Sequence, residues 1–178
     1  MKKLFLALAG SVGAIPGIAI LQSGLGTPPD DRILFGGVVE AFGAMSLLLL
    51  WVNRSRLALL PKMRTTRLSV YLIIACFAFI VIYISLFGFT VVKDDIRGTI
   101  YYPLWTTGDM AMMITSANNS RHYAIEKYGI DDVNEAIHKM PSWPLAVTTS
   151  VLLLIYQAVF STLTMAFGML AIREKTDL

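Results

Sequence analysis

The stretch ILFGGVVEAFGAMSLLLLWV, Ile33 to Val52, runs for twenty residues with one charge, the carboxylate of Glu40. At 1.5 Å of rise per residue such a helix is about 30 Å long, the thickness of bilayer hydrocarbon. Three further runs reach that length: residues 4 to 22, 68 to 92 and 144 to 172. The first opens Met1-Lys2-Lys3 like a signal peptide, yet its apolar part is longer than a signal core. No convincing small-x-small site follows before Thr27-Pro28-Pro29, so it is read as a retained span.

The composition points the same way. Of 178 residues, 56% are hydrophobic and 15% charged, a balance that disfavours a soluble fold. The fold class expected is all-α: a polytopic membrane protein of four transmembrane helices, in one membrane domain covering residues 1 to 178. The formal charge of +3 does not imply nucleic acid, because the basic residues sit at segment ends and in one loop with no aromatic-interleaved basic face. With Cys76 the single cysteine, no intrachain disulfide or cysteine-based zinc site can form, and a thiol inside an apolar run is read as packing.

Orientation follows from the cations. The loop NRSRLALLPKMRTTR, residues 53 to 67, holds Arg54, Arg56, Lys62, Arg64 and Arg67 without an acid, which places it and both termini in the cytoplasm. These five residues can anchor anionic headgroups or dock an acidic partner. Residues 93 to 143, with five basic and seven acidic residues, then form an outer, periplasmic segment of a bacterial inner-membrane protein. Its YYPLW (Tyr101 to Trp105) and SWP (Ser142 to Pro144) carry aromatics of the kind that sit at a membrane boundary. Between them Met110, Met113, Ile114, Ala117, Arg121, Ala124, Ile125 and Tyr128 fall on one helical stripe, which Asn118-Asn119-Ser120 can break and Gly129 caps. A second short helix is expected at DDVNEAIHKMP, with Asp132 and Glu135 as a capping box and Pro141 as the stop.

Small residues mark the packing faces: Gly10, Gly13 and Gly17 on the first span, and Gly36 and Gly43 flanking Glu40 on the second. The fourth span carries Ser150, Gln157, Ser161, Thr164 and Gly168 as a polar seam that should face protein or water. Counting rise from the span centres puts Glu40 a few ångströms outward of the midplane, level with Pro16 and Tyr83 and nearly with Gln157. Glu40, Tyr83 and Gln157 thus form an intramembrane polar layer. A buried unpaired carboxylate costs at least about 2.5 to 3.5 kcal/mol, so this one either protonates into a hydrogen bond or meets water. The first role is structural; the second, in a ring of subunits, lines a cation or proton path; a contact with lipid or a partner helix is the third.

Catalytic and cofactor chemistry is not signalled. His122 and His138 both fall in the outer segment, so no cofactor or metal site is expected, and neither G-x-S-x-G, H-E-x-x-H nor a phosphate-binding glycine loop occurs. Thr107-Gly108-Asp109 reads as a helix start, and Met110, Met112 and Met113 as a greasy face. Three classes remain, in order: an oligomeric sensor or pore subunit; a small immunity or accessory protein bound to another membrane protein; and an integral membrane enzyme.

The whole-chain plan of four spans, inner termini, a basic inner loop and an outer helical segment before the last span resembles the membrane subunit of Kiwa-type bacterial antiphage defence systems. The resemblance is one of architecture and carries over no residue. It implies a homo-oligomer whose outer face detects injury or phage attachment. Its inner face, the Arg54 to Arg67 loop, would recruit a soluble cytoplasmic effector.

The first two roles of Glu40 separate by substitution. Glu40→Gln keeps the shape and hydrogen-bonding capacity but cannot ionise. A structural carboxyl tolerates Gln, while Glu40→Ala lowers stability in detergent by about 1 to 2 kcal/mol. A carboxyl that lines a path loses ion flux in liposomes on Glu40→Gln, with thermal stability kept.

Overall fold

The computed structural model describes residues 32–94 and 98–173; the first span expected, with Gly10, Gly13 and Gly17, lies outside the described residues. The chain is mostly helical. In order come α1 (Arg32–Val52), α2 (Arg54–Ala58), α3 (Lys62–Thr90), strands β1 (Val91–Asp94) and β2 (Gly98–Tyr101), then α4 (Gly108–Ser116), α5 (Arg121–Tyr128), α6 (Ile130–Lys139) and α7 (Trp143–Arg173). The described residues divide into two compact units: one lies within 84–152, and the other joins 32–83 with 153–173.

Met63–Thr90 of α3 and Trp143–Ile172 of α7, each divided between the two units, are long and apolar enough to cross a membrane. The burial pattern of α3 says what surrounds it. Its buried residues are Thr65, Ser69, Cys76 and Thr90, whereas Tyr71, Phe77, Val81 and Ile84 are each more than 60% exposed. Burial of apolar area is the dominant favourable term in water, at about 25 cal/mol per Å², so a helix with polar residues inside and phenylalanine outside is matched to an apolar surrounding. The hydroxyls are satisfied locally: Ser69 donates to the Thr65 carbonyl at 3.0 Å and Thr90 to that of Leu86 at 2.8 Å.

The basic stretch 53 to 67 is not a loop throughout. Asn53 closes α1, its backbone and side-chain N–H groups both donating to the Leu49 carbonyl. A single short helix follows, and Pro61 then opens α3, its carbonyl accepting from the backbone N–H groups of Arg64 and Thr65. Proline is suited to a helix start because the N–H it lacks would have had no partner there. Lys62, Arg64 and Arg67 therefore stand on the first turns of α3, six residues earlier than the expected span began.

The unit of residues 84–152 adds a small antiparallel hairpin that was not expected from the sequence, with Val91, placed by that reading at the end of the third span, paired to Tyr101 and Asp94 to Gly98. Val91, Val92, Thr99 and Ile100 are β-branched, and Ile100 is buried in the local core. That core joins Ile100, Tyr102, Met110, Ile125, Ile130 and Val133, so α4, α5 and α6 pack together around the chain leaving the hairpin. Tyr102 is completely buried, a core residue where a boundary aromatic was expected. Trp105 and Trp143 do lie at the surface, with ring centroids 5.2 Å apart and planes tilted by 48°.

The expected stripe is broken at the anticipated place. Asn118 and Asn119 take φ of 56° and 58°, the left-handed region that asparagine tolerates, and the Asn119 N–H donates back to the Ile114 carbonyl at 2.9 Å. Ser120 then caps α5 by accepting from the Tyr123 N–H at 3.2 Å. The capping box at Asp132 does not form. Gly129 is the N-cap of α6, without a side-chain cap, so Asp131 and Asp132 both fall in the first turn, where carboxylates offset the helix dipole. Glu135 pairs with Lys139 at 2.7 Å.

Gly129 joins α5 to α6 at φ 86° and ψ 161°, a conformation reserved in practice for glycine. Nothing lies within 4 Å of the position a Cβ would take. Gly129→Ala should therefore cost about 1 to 3 kcal/mol through backbone strain alone. Thermal unfolding in detergent, monitored by limited proteolysis between α5 and α6, checks this; an unchanged midpoint would contradict the strain.

Candidate functional site

The residues foreseen as a polar layer fall on three helices. Glu40 stands on α1, three residues before the buried Gly43, and its side chain lies outside the described ones, as does that of Lys62. Tyr83 of α3 is half-buried, with its ring centroid 5.6 Å from that of Tyr156, the neighbour of Gln157 on α7; Tyr156 in turn meets Phe160 at 4.9 Å.

Gln157 is 7% exposed and its Nε2 donates to the Ser161 Oγ at 3.0 Å, but its Oε1 has no hydrogen-bond partner among the described residues. Thr164 is fully buried and its Oγ1 is likewise without one. Gln157, Ser161, Thr164 and Gly168 are spaced by 4, 3 and 4, one face of α7. At Gly168 that face meets α1 so closely that a Cβ would collide with Leu50 Cδ1. Among the side chains of α1 that are described, Gly43, Ser46 and Leu50 are the buried positions, again at 3 and 4 spacing. Two small-residue faces, one carrying acceptors with spare capacity, thus lie within the larger unit. A buried acceptor without a donor costs about 1 to 3 kcal/mol, which makes this seam the place where an added donor gains most. Ser150, foreseen on the same seam, is instead exposed and donates to the Ala146 carbonyl at 2.8 Å.

In the smaller unit the organising residue is Arg121, which the sequence reading treated as one more position of a stripe. Its guanidinium donates to the carbonyls of Phe89, Pro103 at 2.8 Å and Leu104 at 3.2 Å. It also lies over the Phe89 ring, 3.7 Å from the centroid. Phe89 belongs to the last turn of α3, so the cation also meets the negative end of that helix dipole. Tyr102 returns the contact, its hydroxyl donating to the Arg121 carbonyl at 3.1 Å. The segment Tyr102 to Trp105, which follows β2, is also held by Thr148 of α7, whose Oγ1 accepts from the Leu104 N–H at 2.8 Å. A charge on an otherwise apolar helical stripe was the available signal for Arg121.

The basic residues Arg54, Arg56, Arg64 and Arg67 are all exposed, and the Arg54 guanidinium lies 5.2 Å from the Trp51 ring centroid. His122 and His138 are exposed, the former 3.4 Å from Glu126. Among the described residues no group of three or more histidine, cysteine or acidic side chains is placed to hold a metal ion.

Burial holds the Tyr102 hydroxyl up to about 12, only partly opposed by the Arg121 cation. A pKa raised on folding means that stability present below the unfolded value of about 10 is lost as pH climbs toward 12. Protection of the α4 to α6 region from protease should thus fall steeply between pH 10 and pH 12, and Tyr102→Phe should flatten that decline while lowering protection at neutral pH through loss of its hydrogen bond.

Comparison of the chain with protein-family models, with curated proteins and with solved structures finds no match in any of the three.

Proposed function

We propose that the chain is an oligomeric sensor subunit of a bacterial inner membrane. It crosses the membrane four times with both termini in the cytoplasm, and residues 93 to 143 form a periplasmic cap that registers an outer event and passes it to a cytoplasmic partner. The observation that carries this reading is the wiring of Arg121. Its guanidinium binds the last turn of α3 and the segment that Thr148 of α7 also holds. Both helices that qualify as membrane spans are therefore tied to one small, well-packed unit, and a force on that unit is shared between them. The exposed apolar side chains of α3, among them Phe77, Val81 and Ile84, supply a surface that another subunit can cover. Glu40, on α1, is the titratable group that links such an assembly to protons or cations.

The architecture resembles the membrane subunit of Kiwa-type defence, and that resemblance supplies the expectation of antiphage signalling through a soluble effector. The reading assigns no enzymatic role.

Two measurements test it. In a Cys76→Ala background, a cysteine at Asn118 should react with an impermeant maleimide added to intact spheroplasts, and one at Ser55 should not; the reverse pattern overturns the topology. Mass in detergent should correspond to a symmetric homo-oligomer, and Arg121→Gln should leave that mass and membrane insertion unchanged while abolishing protection of cells against phage. A monomer would favour an accessory protein that binds another membrane protein.

A further inference from the structure

We propose that residues 51–67 rest in the headgroup layer of an anionic leaflet, with the guanidinium groups on lipid phosphates and the large apolar side chains between them at the acyl boundary. The inference rests on the membrane reading given above and commits the basic segment to lipid. From Ala41 to Lys93 the sequence holds no Asp or Glu, so no carboxylate lies nearby in the chain to neutralise it. Arg54, Arg56, Arg64 and Arg67 are exposed, and no ion pair joins any of them to another described residue.

Between these cations stand apolar side chains that water would not favour: Trp51 is 62%, Leu59 85% and Met63 65% exposed. The α2 helix is only five residues long, and the break before Pro61 leaves Leu59 projecting between basic positions on either side. This mixed patch is continuous with the exposed apolar surfaces of Leu49 and Val52 on α1 and of Val70 and Tyr71 on α3. The cations therefore stand where two greasy helix surfaces end. A phospholipid offers phosphate and hydrocarbon side by side in that order; arginine takes phosphate through paired N–H donors, and tryptophan favours the boundary between the two. Arg54 over the Trp51 ring holds one such pair together.

The test uses the full-length protein, in a Cys76→Ala background, in vesicles of phosphatidylcholine alone or of equimolar phosphatidylcholine and phosphatidylglycerol. An environment-sensitive dye is attached at Leu59→Cys or, separately, at Phe77→Cys in the middle of α3. With phosphatidylglycerol present, lipid-borne quencher should reach the dye at 59, and this access should fall when Arg54, Arg64 and Arg67 are replaced by Gln. In parallel, the preference of the detergent-extracted protein for retaining phosphatidylglycerol over phosphatidylcholine, counted by native mass spectrometry, should drop about fivefold for each arginine removed. A dye at 59 that stays in water while the dye at 77 is quenched overturns the proposal and leaves the membrane reading standing. A dye at 77 that is not quenched overturns both. If the dye at 59 is shielded only on adding a soluble acidic polypeptide such as polyglutamate, the face belongs to a protein partner and the lipid assignment falls.

Discussion

A helix surrounded by hydrocarbon has no water to fall back on, and every polar atom it carries must be satisfied by its own turns or by a neighbouring chain. The polar residues of α3 and α7 are arranged as that constraint requires. Thr65, Ser69, Thr90, Thr148, Thr149 and Thr162 each return a hydroxyl to a carbonyl one turn back, so polar residues can be threaded through α3 and α7 without needing one another. The large side chains are then free to face outward. Among the described residues, what remains after this local settlement is Gln157 Oε1 and Thr164 Oγ1, on one face of one helix.

The smaller unit solves the opposite problem, that of making a compact body from short helices with little apolar area. Three helices of eight to ten residues would be marginal alone. Their stability comes from a core gathered around Tyr102 and Val133 and from one cation that three carbonyls share. Arginine suits this position better than lysine, because a planar fork reaches several carbonyls at once while its apolar stem and face cover an aromatic ring. No carboxylate is needed: the end of α3 presents carbonyls that already carry partial negative charge.

Much of the fold could be read from hydropathy because apolar run length is a one-dimensional signal. The bounds of α1 and α7 fall within a residue or two of those expected from sequence, and the Asn118-Asn119 break and the Gly129 cap follow from conformations that few residues tolerate. The errors have a common cause. The basic stretch was taken for a loop because charge was allowed to outvote helix propensity, although arginine and lysine are good helix formers and Pro61 is a start signal as well as a stop. The hairpin at Val91 escaped because four-residue strands are too short to establish a period. Tyr102 was placed at a boundary by composition, whereas its burial depends on Arg121, nineteen positions later in the chain. Contacts of that kind are created by the fold and leave no local mark. The part of the α7 seam from Gln157 to Gly168 was visible as spacing; that Gln157 and Thr164 keep acceptors without a partner among the described residues was not.

The paired indoles of Trp105 and Trp143 have an optical consequence. Two tryptophan rings 5.2 Å apart and tilted by 48° are close enough for their electronic transitions to couple, and coupled chromophores of fixed handedness split the circular-dichroism band into a signed couplet. Trp51, the remaining tryptophan of the chain, lies among the basic residues and contributes none of that couplet. The chain thus carries a built-in chromophore pair whose signal exists only while the segment after β2 stays beside the first turn of α7, so the state of the smaller unit can be followed by light without any label.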